Sequence, residues 1–420
     1  MKRLTLLIAA LLAVPALAAE AEHPDLPPPA LAEAAIRNSV TVMTAAHGIR
    51  IEQSNRRRWG SGNYEFNVRA GSSQRRIAST GQALKEWDVA IERPLRLPNK
   101  MLLDSEIGAT SVQRAEYALG DARHEAGRTL LRLWFTWQRE LAAAQQWQQQ
   151  SATLQAQAGM TAKRVKAGDA PKMEANQALA AAAQASVSHQ QAALRAQLAA
   201  NELLRQFPDL PLPDGIPRTV PEAIPHDLAW WKQQVFQHNH ELGMVQADSS
   251  LQSLLAQRGR ADRVPDPTVG VRYSNEMGGN EKVTGVYVSV PISFGLRGAQ
   301  AEGLQHQADA AANREAFVTH RLEGDVQAAY AQAVSSYDTW QQAADAAAHV
   351  RQNAELVSRA YALGESSLSD TLTARRLALE SSLAETTAQL DANEARYRLL
   401  LDAHQLWPLD DDDDSSHGHY

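Results

Sequence analysis

The residues whose types and spacing could bind a metal ion are gathered at the C-terminus of this sequence. Five consecutive aspartates, Asp410 to Asp414, precede His417 and His419. Carboxylates and imidazoles are ligands for divalent cations, but a run of like charges is more often a solvated, disordered end that fixes no ligand geometry. The other histidines are scattered along the chain without ligand spacing. The sequence therefore predicts no metal site and no cofactor.

Composition excludes several other kinds of chemistry. The chain has no cysteine, which rules out disulfides, thiolate metal sites and a lipidated N-terminal cysteine. It contains no phosphate-binding loop, no nucleophile elbow and no paired His-Glu zinc motif, so an enzyme is not expected. The formal net charge is −7, and no basic face with interleaved aromatics occurs, so nucleic acid is not an expected partner.

Two short segments share a glycine followed six residues later by an acid. Glycine favours the left-handed conformation that ends a helix, and an acid favours the first turn of the next helix, so each segment predicts a helix-to-helix turn. On this interpretation the acids are simple caps. The candidate residues are Arg164, Gly168 and Glu174 in the first segment and Arg359, Gly364 and Asp370 in the second. The two arginines stand at different distances from their glycines.

These turns belong to an internal repeat that occurs twice in the sequence. The segment from Val89 to Pro94 matches the segment from Val286 to Pro291 at an offset of about 197 residues, and both glycines keep nearly the same spacing. Each copy predicts two strands, one very long helix, a turn and a return helix. In the strands apolar residues alternate with polar ones, whereas in the first long helix Leu130, Trp134 and Trp137 recur at helical spacing.

The predicted organisation has five parts. A basic, then apolar, then small-residue N-terminus predicts a signal peptide over residues 1–18, which is too short for a membrane anchor. The remaining boundaries are these: a first repeat over 19–207, with strands near 64–94, a long helix over 100–167 and a return helix over 172–207; a proline-rich connection over 208–227; a second repeat over 228–407, with strands near 267–294, a long helix over 298–363 and a return helix over 368–406; and an acidic, disordered tail over 408–420.

The strands raise the question of closure, because unpaired strand edges cannot face lipid. Four strands cannot close a membrane barrel alone. Two chains would give eight strands and an interior filled by side chains, whereas three chains would give twelve strands and a usable lumen. Threefold symmetry is the arrangement favoured for a passage, and the alternative is a small globular sheet.

The segments from Pro265 to Tyr273 and from Gly285 to Gly295 resemble the second barrel hairpin of the TolC-type outer-membrane efflux proteins, and the doubled order of elements is similar over the mature chain. The resemblance implies a mainly α-helical protomer with a small transmembrane β part. Three protomers would form a 12-stranded β-barrel in the outer membrane and a 12-helix tunnel in the periplasm. The proline-rich segment and the C-terminal end would lie in a belt around the tunnel's middle.

The same resemblance gives the two turns a function. In that family the turns form a periplasmic tip that contacts the adaptor protein and constricts the tunnel, a role that would come to all six candidate residues. The short chain and the loop Gly278-Gly279-Asn280-Glu281 most resemble the CzcC-like heavy-metal efflux proteins. The expected function is a passive exit duct for heavy-metal cations, with a periplasmic adaptor and an RND-type inner-membrane pump as partners.

Two other functions stay open at this stage. A duct for drug efflux or type I protein secretion would share the fold and differ in its partners. A periplasmic coiled-coil adaptor or structural protein would share the long helices, but it would have no use for four strands with a lipid-type pattern.

Overall fold

The computed structural model of this chain describes residues 23–213, 215 and 217–409. That part of the chain is mainly helical and has one small antiparallel sheet of four strands, which confirms the predicted fold class. The predicted signal peptide and the acidic run from Asp410 onward lie outside the described residues.

Two copies of one helical arrangement make up most of the fold. The return helices are each 35 residues long, and the long helices have 70 and 68 residues. In chain order the helices are α1 (Pro29–Arg37), α2 (Val40–Ser61), α3 (Pro98–Ala167), α4 (Lys172–Gln206), α5 (Leu228–Gln237), α6 (His240–Ala261), α7 (Leu296–Leu363) and α8 (Leu368–Asp402). Each repeat thus contains a short and a 22-residue helix before its strands, which were not predicted from the sequence.

Local sequence accounts for where these helices begin and end. Pro98 occupies the first turn of α3, where its missing N–H costs no intrahelical bond. Ser39 caps α2 by accepting a hydrogen bond from the amide of Val42. The second return helix ends at Asp402, four residues before the predicted end at 406, because the chain at His404 turns into a left-handed conformation.

Along α3, different partners cover the two halves. α2 and α6 pack on the half nearest the sheet, where Arg114 forms ion pairs with Glu52 and Asp248. α4 packs on the other half, and Ala182 and Ala192 are among the small buried residues that let the two helices approach closely. No helix in the described part of the chain is both long enough and apolar enough to cross a membrane.

The largest buried cluster lies at the middle of α3. The predicted stripe is confirmed, since Leu130, Trp134 and Trp137 are all buried there. The start of the connection packs on this cluster through Phe207 and Leu210, and the segment after α8 packs on it through Trp407 and Leu409. The N-terminal segment joins it through Asp25, whose carbonyl accepts hydrogen bonds of 2.8 Å from both Trp134 Nε1 and Gln138 Nε2. This core holds the first described residues, the start of the connection and the segment after α8 at one level of the long helix.

The sheet extends from the starts of the two long helices, at the end opposite the turns that contain Gly168 and Gly364. Its strands pair in the order β1 (Asn67–Arg76), β2 (Ala83–Pro94), β3 (Thr268–Glu276) and β4 (Glu281–Ser289), each antiparallel to the next. A 3₁₀ turn, Met277–Gly279, joins β3 to β4. β1 and β4 are the edges of this sheet within the protomer.

Candidate functional site

One face of the sheet carries apolar side chains that nothing in the described chain covers. The cross-strand register aligns Val68, Ile91, Val271 and Val286 in one row across all four strands. Their exposed fractions run from 46% for Val271 to 82% for Val286. A water-facing sheet would place polar residues here, so this row is an unusually apolar surface for an exposed sheet.

The adjacent row on the opposite face is polar and internally bonded. Asn67 Nδ2 donates to Glu92 Oε1 at 3.1 Å, and Tyr287 donates from its hydroxyl to Glu92 Oε2 at 2.6 Å. The Tyr287 ring reaches Glu92 by crossing Gly270, where a Cβ would lie only 2.5 Å from the ring. The two faces are therefore chemically distinct, as the alternation in the sequence predicted.

The first tip turn, defined as residues 164–174, reverses α3 into α4. Gly168 adopts a left-handed conformation with φ 84°, as predicted, and its amide donates to the Val165 carbonyl at 3.1 Å. The amide of Asp169 donates to the Arg164 carbonyl at 2.9 Å. These two bonds form the Schellman arrangement, which satisfies the last carbonyls of the helix.

The second tip turn, defined as residues 359–370, repeats this geometry. Gly364 also has φ 84°, and its amide donates to Tyr361 O at 3.1 Å. Beyond it, Ser367 and Asp370 form a reciprocal capping box at the start of α8. Hydrogen bonds from the Ser367 side chain and amide hold the pKa of Asp370 below its usual value. Asp370 is thus engaged as a helix cap.

Tyr361 connects the two tip turns, a role that was not predicted from the sequence. Arg164 Nη1 donates to the Tyr361 hydroxyl at 2.9 Å, and that hydroxyl lies 3.3 Å from Glu174 Oε2 and donates to it. The Arg164 guanidinium also lies 5.5 Å from the centroid of the Tyr361 ring. The structure therefore brings Arg164 and Glu174 together around a residue from the other repeat.

Arg359 does not take part in this network. Its side chain is exposed, and no hydrogen bond or ion pair joins it to Arg164 or Glu174 in the described part of the chain. The different spacing of the two arginines from their glycines is the sequence signal for this asymmetry. It places one arginine, and not the other, next to Tyr361.

Three histidines that are far apart in the sequence lie together in the fold. His124 on α3, His240 at the start of α6 and His404 after α8 each offer one ring nitrogen, and these atoms lie within 4.8 Å of one another. The separations along the chain gave no ligand spacing, so nothing in the sequence indicated this cluster.

Comparisons with known proteins identify the fold. No family model and no curated protein matches this sequence. Solved structures do match, among them the CmeC outer membrane channel of Campylobacter jejuni, with TM-score 0.77 and 13% identity over 92% of this chain and 88% of that one.

Two further structures give the same result. The outer membrane protein VceC of Vibrio cholerae matches with TM-score 0.73 and 14% identity, over 89% of this chain and 95% of that one. The open-state MtrE outer membrane channel of Neisseria gonorrhoeae matches with TM-score 0.67 and 17% identity, over 90% and 89%. The chain therefore has the fold of TolC-type outer-membrane channels, which are channel proteins and not enzymes.

Proposed function

We propose that this chain is one of three identical protomers of a passive outer-membrane exit duct in a tripartite efflux system. The observation that carries this proposal is the exposed apolar row at Val68, Ile91, Val271 and Val286, on a sheet with two open edges. Lipid contact would explain the apolar face, and closure of twelve strands would satisfy the edges. The long helices then extend the passage into the periplasm.

The two faces of the sheet support this orientation. The Glu92 row would line the interior, where water solvates its charged groups, and the Val286 row would face the lipid. Three copies are favoured over two because eight strands leave an interior filled by side chains. A closed barrel made by three copies would thus account for the charged face, the apolar face and the open edges of the sheet.

The tip turns are proposed to contact the periplasmic adaptor and to constrict the tunnel. This role applies to Arg164, Gly168, Glu174 and Gly364, which form the turns or the Tyr361 network. For Arg359 the support is its exposure near the turn. Asp370 contributes by capping α8, which keeps the second turn in register.

The oligomeric state tests the duct directly. Light scattering of the purified, detergent-solubilised protein, corrected for bound detergent, is expected to give three chains per particle. The same protein should float with outer-membrane vesicles on a density gradient. A monodisperse monomer that keeps its strand content would overturn the proposal, because its sheet edges would then be stable without neighbours.

The proposed cargo is heavy-metal cations, supplied by an RND-type inner-membrane pump through an adaptor. Its support is the resemblance of the short chain and of the Gly278–Glu281 loop to CzcC-like proteins.

Growth across a metal gradient tests the cargo. In a host that carries the cognate pump and adaptor, cells with the duct should grow at higher metal concentrations than duct-null cells. Deleting 410–420 should change resistance little at matched trimer levels, because fixing a run of like charges around an ion costs about 1 to 2 kcal/mol per ordered residue. Protection against drugs but not metals would favour the drug duct instead.

A further inference from the structure

Three imidazole rings from three separate parts of the chain meet beside the middle of α3. The ring centroids of His124 and His404 lie 4.0 Å apart, those of His124 and His240 5.2 Å, and those of His240 and His404 5.3 Å. A fourth ring, His238, lies 5.5 Å from His404. The three closest rings form a triangle and not a linear stack, so one ion placed between them could contact all three.

The backbone at His404 holds its ring in this triangle. His404 has φ 58°, a left-handed conformation that favours glycine, and it occupies the position after α8 where glycine is most common. Its amide donates to Leu401 O at 3.0 Å, and the amide of Gln405 donates to Leu400 O at 2.8 Å. Here a histidine occupies a glycine position, and its ring is directed to the cluster.

Neighbouring residues on the other two elements make room for the triangle. The His240 ring lies against Gly120, one turn before His124 on α3, where a Cβ would be 2.5 Å from His240 Nδ1. Asn239 caps α6 by accepting a hydrogen bond of 2.8 Å from the amide of Leu242, which fixes the start of that helix. Even alanine at position 120 would displace the His240 ring.

The surroundings suit a cation. The Asp121 side chain is close enough to both His240 and Glu241 to interact with them electrostatically. A cleft of about 530 Å³, lined in part by Gly120, His238 and His240, opens one ring of the triangle to solvent.

The ligand set restricts the ion. Imidazole nitrogens without thiolates suit Zn²⁺, Cu²⁺, Ni²⁺ and Co²⁺, and three protein ligands leave a further position for water. Ring nitrogens in a tetrahedral zinc site lie about 3.4 Å apart, as zinc–nitrogen distances near 2.1 Å require. Side-chain rotations would bring atoms that are now within 4.8 Å to that separation.

We infer that His124, His240 and His404 bind one divalent transition-metal ion and thereby tie α3, α6 and the end of α8 together. The ion is a resident component at the level of the core and not cargo in the passage. The inference therefore goes beyond the proposed function and does not depend on it.

The test uses the full-length, detergent-solubilised protein without a polyhistidine tag, stripped of metal with a chelator. Zn²⁺ binding is measured by titration calorimetry, Co²⁺ coordination by visible absorption, and stabilisation by the shift in Tm. The wild type is expected to bind about one ion per chain, to give a cobalt spectrum of a low-coordinate nitrogen site, and to melt at higher temperature with metal.

The informative variants are His404→Gly and His240→Gln. Glycine suits the backbone at 404, so the metal-free His404→Gly protein should be at least as stable as the wild type, whereas Zn²⁺ affinity should fall roughly 10- to 100-fold or more and the Tm shift should disappear. His240→Gln should give the same loss. The matched control is His349→Gln, an exposed histidine outside the cluster, which should bind as the wild type does.

A variant lacking residues 410–420 separates the cluster from the acidic tail. It should keep the high-affinity ion, the cobalt spectrum and the Tm shift. The inference is overturned if His404→Gly binds Zn²⁺ like the wild type, or if the tail deletion abolishes binding while the cluster is intact. In either case the three rings pack only as aromatic neighbours.

Discussion

The hydroxyl of Tyr397, in α8, donates a 2.7 Å hydrogen bond to Asp25 Oδ1, so the last helix of the fold is joined to the N-terminal segment. Thr219 Oγ1 and Asn393 Nδ2 donate to the other carboxylate oxygen at 2.6 and 3.1 Å. Burial and the neighbouring carboxylate raise the pKa of Tyr397. One buried carboxylate thus links the N-terminus, the connection between the repeats and the second return helix.

Asp25→Ala is expected to destabilise the protomer by about 3 kcal/mol, because the buried Tyr397 and Asn393 and the half-buried Thr219 all lose the carboxylate that accepts from them. The measurement is the thermal unfolding of the solubilised protein, followed by tryptophan fluorescence at one scan rate. Asp209→Ala, at an exposed position, is the control and should leave the midpoint unchanged. Equal midpoints for the two variants would show that the Asp25 network contributes nothing to stability.

Lys100 joins the base of the sheet to the helices. Its side chain is 1% exposed, and Nζ lies 3.0 Å from both Asp262 Oδ1 and Asp266 Oδ1 and 2.8 Å from the Val264 carbonyl. Lys100→Met should cost about 3 kcal/mol, because it leaves the largely buried Asp266 carboxylate without its cation, whereas Asp262 keeps Arg258. Chemical denaturation measures the loss. A double change with Asp266→Asn should recover part of it, and no recovery would contradict the pairing.

The same joint should weaken in acid. Burial opposes ionisation of Asp266, but hydrogen bonds from Lys100, Tyr64 and the Leu97 amide outweigh it and lower its pKa. A lowered folded-state pKa means that the contribution is complete above the unfolded value of about 3.9 and is lost as pH falls through the folded value. The wild type should lose more stability below about pH 4 than Asp266→Asn does. Parallel acid profiles would rule out this coupling.

Gly168→Val should disturb the first tip turn without preventing trimer assembly. A β-branched residue in the left-handed conformation costs about 1 to 2 kcal/mol. Amide hydrogen exchange across 164–174 should accelerate, and efflux should fall. The matched control is Gly159→Val, also exposed on α3 but with ordinary helical φ and open space around it. If the two variants show the same amide exchange and the same efflux, the left-handed conformation at Gly168 is not needed for function.

Val286→Lys should impair membrane insertion, because lysine facing lipid costs about 2 to 4 kcal/mol at the bilayer midplane. Val283→Lys is the control, since Val283 pairs with Ser274 in the row that includes Asp88, on the polar face. The yield of trimer in the outer-membrane fraction is the readout. If both variants insert equally well, the Val286 row does not face lipid.

Periodicity and repetition account for the parts of the fold that were predicted. Leu130, Trp134 and Trp137 repeat at helical spacing, and the core buries them. Gly168 and Gly364 ended their helices as predicted because a left-handed residue is a local requirement. Helical periodicity and helix-ending glycines depend only on residues that are close in the sequence, so they can be predicted before the fold is known.

Other features depend on contacts between distant segments. α2 buries only Val42 completely, so it has no apolar stripe to predict it, and packing against α3 stabilises it instead. Tyr361 bridges the tip turns only because α7 ends beside α3, and the three histidines meet only because α6 begins where α8 ends. No pattern of neighbouring residues in the sequence predicts these contacts.

The length of α3 converts small rotations into large displacements. About 50 Å of helix separates Trp134, fixed in the core, from Gly168 at the turn. If that half of α3 pivots about the core by about 5°, the turn sweeps through about 4 Å. If α7 stays in place, a pivot this small would break the 2.9 Å hydrogen bond between Arg164 and Tyr361. A small change of angle at the aromatic core would therefore register at the tip turns as the loss of a hydrogen bond between the two repeats.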